Sequence, residues 1–83
     1  MELTVKRKIK AFISQYLIKD GEISWGDDTS FIEEGLIDSV GVMELVAFLE
    51  VTFNFRVEDE EINPDNLDSV IKLVAYVGSK LNK

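Results

Sequence analysis

The sequence contains no cysteine, no histidine and a single proline. Without cysteine there is no disulfide and no thiolate nucleophile. Without histidine as well, neither a Ser-His-Asp triad nor a Cys/His zinc site can be assembled. Long apolar runs are equally missing. No stretch approaches the roughly 18 uncharged apolar residues of a membrane-spanning helix, and the basic N-terminus, Met1 to Lys10, lacks the continuous apolar run of a secretory signal. These gaps predict a cytoplasmic chain with no membrane partner. Carboxylate acid–base chemistry requires a cleft that desolvates one of two carboxyls, and a core built from 83 residues rarely offers one. The chain therefore reads as a non-enzyme.

What is present is the balance of a folded domain: 46% hydrophobic and 30% charged residues. The length leaves room for one domain, 1–83, and not for two. The net charge of −7 conceals a segregation along the chain. Residues 1 to 19 hold five basic and one acidic residue, residues 20 to 68 one basic and fifteen acidic, and residues 69 to 83 three basic and none acidic. An acidic middle repels phosphate backbones, which excludes nucleic acid as the natural partner. It suits basic protein surfaces, which it attracts over about a Debye length.

Hydrophobic spacing predicts helices throughout. Val5, Ile9, Phe12, Ile13 and Tyr16 recur at helical intervals, and Asp20-Gly21 offers a left-handed stop. A long connection, 20 to 38, follows; Gly21, Gly26 and Gly35 break it, yet it carries Ile23, Trp25, Phe31, Ile32, Leu36 and Ile37. So apolar a loop is expected to fold back over the helices. A second helix should run from about Ser39 to Phe53 with Asp38 as N-cap, because a side-chain oxygen there accepts from unpaired first-turn N–H groups. An acidic connector, 56 to 68, holds a short turn around Asn63-Pro64-Asp65-Asn66. Asp68 or Ser69 then caps a last helix with Val70, Ile71, Val74, Val77 and Leu81 on its apolar face. Nothing alternates with period two, so the fold class is all-α: a small four-helix bundle, three main helices plus one short one, with a long loop between the first two.

The second helix carries two apolar faces. At about 100° per residue, Val42, Leu45, Val46, Leu49 and Phe53 form one arc, the core face. Val40, Met43, Ala47 and Val51 gather on nearly the opposite side, flanked by Glu44 and Glu50, with Phe48 at the boundary. Either the long loop buries this second stripe, or it is a docking face, apolar at its centre and acidic at its rim, as protein interfaces are built. Ser39 stands in the first turn, where unpaired N–H groups and the positive dipole end accommodate a phosphate-bearing group. On local grounds it could equally be an ordinary first-turn polar residue. The usual capping-box acid is absent, since Gly41 and Val42 occupy the positions three residues after Asp38 and Ser39.

The run Thr29-Ser30-Phe31-Ile32-Glu33-Glu34-Gly35-Leu36-Ile37-Asp38-Ser39-Val40-Gly41-Val42-Met43-Glu44-Leu45-Val46-Ala47-Phe48-Leu49-Glu50 resembles the signature stretch of acyl carrier proteins. An Asp-Ser-hydrophobic tripeptide opens the second helix in that family, here with Glu44-Leu45 at the matching offset, a Phe53-Asn54-Phe55 exit and an Asp68-Ser69-Val70 start to the last helix. The likeness spans the chain to about Leu81. It implies that Ser39 receives 4'-phosphopantetheine from coenzyme A through a phosphopantetheinyl transferase acting with magnesium. The arm's thiol then carries acyl intermediates as thioesters, as in fatty acid biosynthesis and lipid metabolism. Ser39 is on this reading an acceptor and not a catalyst. Asp38 would cap the helix and help engage the transferase, and Val40, Met43, Glu44, Ala47, Glu50 and Val51 would meet acyl-transferring, condensing or adenylate-forming partner enzymes. The scaffold supplies attachment and address, and the cofactor supplies the chemistry.

Departures from the family pattern carry information. Val40 replaces the commoner Leu, Gly41 weakens the first turn by roughly 0.5–1 kcal/mol relative to Ala, and Val51 stands where many fatty-acid carriers hold an acid. The docking face is therefore more apolar than in the general fatty-acid type. The linker Glu61-Ile62-Asn63-Pro64-Asp65-Asn66-Leu67-Asp68-Ser69 is similar to that of stand-alone carriers serving adenylate-forming enzymes, including aminoacyl and D-alanyl carriers. Two other classes predict different behaviour. A helical adaptor would leave Ser39 unmodified, and a metal-binding module would use the acids at 27 to 28 or 58 to 61, although neither segment fits a calcium-loop pattern. The chain is expected to be a monomer without a metal site.

Overall fold

The computed structural model describes residues 2–17 and 26–81, apart from the side chain of Glu2. The expected first-helix stop at Asp20-Gly21, and the packing of Ile23 and Trp25, lie outside the described residues. Among those residues every regular element is helical: α1 (Glu2–Phe12), α2 (Ser39–Phe53), the short α3 (Pro64–Leu67) and α4 (Val70–Leu81). Two tighter or wider turns that periodicity does not announce accompany them, a π-helical turn at Ile13–Leu17 and a 3-10 turn at Asp59–Glu61.

In α1, Val5 and Ile9 are buried, and Ile13 in the following π turn continues the row. Tyr16, expected on the same stripe, is 55% exposed. The wider π turn is the reason, because it carries more residues per revolution and swings the stripe away from the core after Ile13. Phe12 remains half-buried and stacks on Phe48 with ring centroids 4.2 Å apart. That pair ties α1 to α2.

α2 buries the predicted arc. Leu45, Val46 and Leu49 are buried and Val42 and Phe53 pack partly against the same core, each fully buried side chain contributing about 1.5–3 kcal/mol. Asn54 ends the helix in the left-handed conformation, which asparagine tolerates better than most residues.

α4 packs on α1 and α3 through Val70, Leu73, Tyr76 and Val77. The expected apolar face is corrected at two positions, since Ile71 and Leu81 are exposed. Ile71 lies about 100° around the helix from Val70, beyond the arc covered by α1. Leu81 stays on the arc but sits in the final turn. Ser69, not Asp68, caps α4: its hydroxyl accepts from the Lys72 N–H at 3.2 Å.

The loop before α2 folds back as predicted, with one exception. Phe31 is buried and Leu36 and Ile37 pack on the core, but Ile32 is exposed. Its N–H is drawn to the Asp68 carboxylate at 2.8 Å, which holds the backbone to α3–α4 and leaves the side chain outside. Asp27 anchors the loop a second time. Its carbonyl accepts from Ile71 N–H at 2.9 Å, and its carboxylate pairs with Lys6 and Lys10. Those two ammonium groups hold the Asp27 carboxyl below its ordinary value.

The acidic connector is more than a solvated surface. Glu61 accepts from the Glu58 N–H at 3.0 Å, the Tyr76 hydroxyl at 2.9 Å and the Lys80 ammonium at 2.9 Å. The backbone donor first, then Lys80, hold its carboxyl down at about 2. Burial, reinforced by the adjacent Glu61 carboxylate, pushes the Tyr76 phenol above its usual range.

Candidate functional site: the mouth of the second helix

The lead-in to α2 is shaped by a turn over 31–35 in which Leu36 N–H donates to the Phe31 carbonyl at 2.9 Å. Gly35 closes it with φ +65, a conformation that glycine adopts without a side-chain clash. The chain then extends through Ile37 to Asp38, whose carboxylate accepts from Gly41 N–H at 2.8 Å while its carbonyl accepts from Val42 N–H at 2.9 Å. The predicted N-cap is thus in place.

Ser39 is the first residue of α2 and is exposed. No hydrogen bond occupies its hydroxyl among the described residues. A group attached to its Oγ would leave the helix axis into solvent, next to the first-turn N–H groups that Asp38 does not cap. The chain has no histidine to activate the hydroxyl, and one oxygen of the neighbouring Asp38 carboxylate is taken by the Gly41 N–H.

Gly41 is buried for a packing reason that the sequence does not reveal. A Cβ on it would lie 2.7 Å from Ile37 Cγ2 and 3.4 Å from Asp38 Oδ1. The weakened first turn is the consequence of letting Ile37 press against the helix mouth.

A clasp behind the mouth was likewise invisible to periodicity. The Ser30 hydroxyl donates to Asp68 Oδ2, Ile32 N–H to Oδ1, and Phe31 N–H to the Asp68 carbonyl at 2.9 Å. One aspartate thereby fixes three consecutive loop residues. Beside the clasp lies an apolar cavity of about 190 Å³ between the loop, α2 and α3, walled by Phe31, Ile37, Val42, Leu45, Ile62 and Leu67.

The second stripe of α2 is open to solvent. Val40 is 66%, Met43 56% and Val51 83% exposed, and Glu44 and Ala47 are exposed beside them. Glu50 is the exception. It is half-buried, and its carboxylate accepts from Val57 N–H at 2.9 Å, so it braces the α2 exit. Among the described residues no three carboxylates converge as a metal site would require. Of the acids once eligible, Asp27 and Glu61 are engaged by lysines. No described helix is long and apolar enough to cross a membrane.

The helical bundle thus presents an exposed, unengaged serine at a capped helix mouth. Residues 7–77 match the family model described as "Phosphopantetheine attachment site", and the chain belongs to that family. It is a phosphopantetheine carrier protein, non-catalytic, on which 4'-phosphopantetheine is held covalently and presented to partner enzymes. Its similarity extends to particular relatives. It is 32% identical over 77 residues to the D-alanyl carrier protein of Leuconostoc citreum (strain KM20), covering 93% of this chain and 96% of that protein. It is 38% identical over 50 residues to the D-alanyl carrier protein of Streptococcus pyogenes serotype M5 (strain Manfredo), covering 60% and 63%. The cofactor fits the residues present, since an unengaged, exposed hydroxyl is what a phosphodiester attachment requires.

Proposed function

We propose that Ser39 is the attachment point of the phosphopantetheine arm and that the cargo is an aminoacyl group of the D-alanyl kind, loaded by an adenylate-forming enzyme. The observation that carries the first half is the free, exposed Ser39 hydroxyl beside the Asp38 cap. The second half rests on the named relatives and on a docking stripe poor in acids. In the modification, a bond forms between Ser39 Oγ and the pantetheine-bearing phosphorus of coenzyme A. The phosphoanhydride breaks, adenosine 3',5'-bisphosphate leaves, and the hydroxyl proton passes to a base of the transferase. Asp38 keeps the helix mouth formed and contributes a negative charge for transferase engagement.

Val40, Met43, Glu44, Ala47 and Val51 form the face that partner enzymes read, and Glu50 supports it from the helix exit. The single domain works as a cytoplasmic monomer. One feature favours a fatty-acyl cargo instead: the apolar cavity of about 190 Å³ beside the helix mouth. Intact mass of protein taken from its native host separates the readings. One phosphopantetheine on Ser39 is expected, with an alanyl increment when loaded. An acyl-chain increment would reject the D-alanyl assignment, and a modified Ser39→Ala protein would reject the site.

A further inference from the structure

Two surface clefts run along the same side of α2 and share Tyr16 and Glu44. The first, of about 210 Å³, opens at the helix mouth between the π turn and Gly35, Ile37, Asp38 and Gly41. The second, of about 390 Å³, continues down the helix between Phe12, Phe48, Ala47 and Val51. Together they form one groove leading from the residue beside Ser39 to the far end of α2. Its floor is aromatic, built on the Phe12–Phe48 stack, with Tyr16 tilted against Phe12 at 5.3 Å. Its acid is Glu44, exposed and without an ion-pair partner among the described residues. The exposure of Tyr16 follows from the π turn. An ordinary α-helical continuation would have kept that ring on the buried stripe.

We infer that this α1–α2 groove, and not the α2 stripe alone, seats the phosphopantetheinyl transferase, through a transferase element that sets an apolar side chain on the aromatic floor and a lysine or arginine against Glu44. The inference rests on Ser39 being the attachment residue. Two features select this occupant. An enzyme acting on the Ser39 oxygen itself must cover the helix mouth where the groove opens, whereas one acting on a thiol at the end of a long arm need not. Among the described residues that line it, the groove also carries two acids, Asp38 and Glu44, and no base, and so complements a basic element. Tyr16 is then a specificity-determining contact contributed by α1.

The test measures holo-protein formation by intact mass with purified phosphopantetheinyl transferase and coenzyme A, over a range of carrier concentrations and salt. Tyr16→Ala should raise KM about tenfold with kcat unchanged, as loss of an interface aromatic does, while Tyr16→Phe keeps the wild-type KM. Glu44→Gln, a surface change that leaves the fold intact, should flatten the salt dependence of kcat/KM. Ile71→Ala, on the α1–α4 side, should match wild type. A wild-type KM for folded Tyr16→Ala, or an unaltered salt dependence for Glu44→Gln, overturns the groove while leaving Ser39 in place. A wild-type protein that gains no mass, or Ser39→Ala that does, overturns the attachment residue and the groove with it.

Discussion

Gly41 has no room for a side chain because Ile37 occupies it, with Ile37 Cγ2 2.7 Å from where a Cβ would stand. Helix propensity alone predicts that Gly41→Ala stabilises by roughly 0.5–1 kcal/mol. Overpacking against a β-branched neighbour costs about 1–3 kcal/mol and should win. Gly41→Ala is therefore expected to lower the thermal midpoint by several degrees in calorimetry. The double variant Ile37→Leu, Gly41→Ala should recover part of the loss, because leucine lacks the β-branch methyl Cγ2 that stands in the way.

Asp38 serves two functions that substitution can separate. Asp38→Ala removes the acceptor for Gly41 N–H and should cost about 1 kcal/mol, whereas Asp38→Asn retains the cap and loses only the charge. Urea denaturation should rank wild type and Asn close together with Ala below them. If modification by the transferase is slowed equally in both variants, the carboxylate charge and not the cap governs engagement.

Asp68 is expected to be the most sensitive polar residue of the loop, because its carboxylate takes both the Ser30 hydroxyl and the Ile32 N–H. The Ser30 bond is part-buried and the Ile32 bond exposed, so losing both acceptors costs about 1 kcal/mol, mostly through Ser30. Asp68→Ala should increase hydrogen exchange at the Ile32 amide more than Ser30→Ala does, since only the first removes that amide's acceptor.

Acid stability should depend on Glu61. Its carboxyl lies at about 2 in the folded chain against an ordinary 4.5, so its contribution is fully present above the ordinary value and is lost as pH falls through the folded one. Stability followed by urea denaturation should decline from about pH 5 towards pH 2. Glu61→Gln should give a shallower decline. A residual slope is expected from Asp27, held down by Lys6 and Lys10.

Much of the fold was legible because its signals are local. The Asp38 cap, the two faces of α2, the Asn63-Pro64 start of α3 and the Ser69 start of α4 each follow from a few adjacent residues. The second stripe of Val40, Met43 and Val51 was legible as a stripe but not its openness, and Ser39 stood out only through the resemblance to a family signature. What escaped depends on distant partners. Asp68 reads as a helix cap until Ser30 and Ile32 are brought to it across the fold. Gly41 reads as a weak point until Ile37 is seen against it, and Tyr16 reads as core until the π turn rotates it outward. Glu50 and Glu61 look like surface acids because the Val57 amide, Tyr76 and Lys80 that engage them come from other segments.

The absence of cysteine makes the central claim directly measurable, because any thiol on the protein must arrive with the arm. Thiol titration of the denatured protein, before and after incubation with coenzyme A, magnesium and a phosphopantetheinyl transferase, should rise from zero to one equivalent, and Ser39→Ala should remain at zero. A wild-type protein that stays at zero, or an alanine variant that reaches one, would contradict the account.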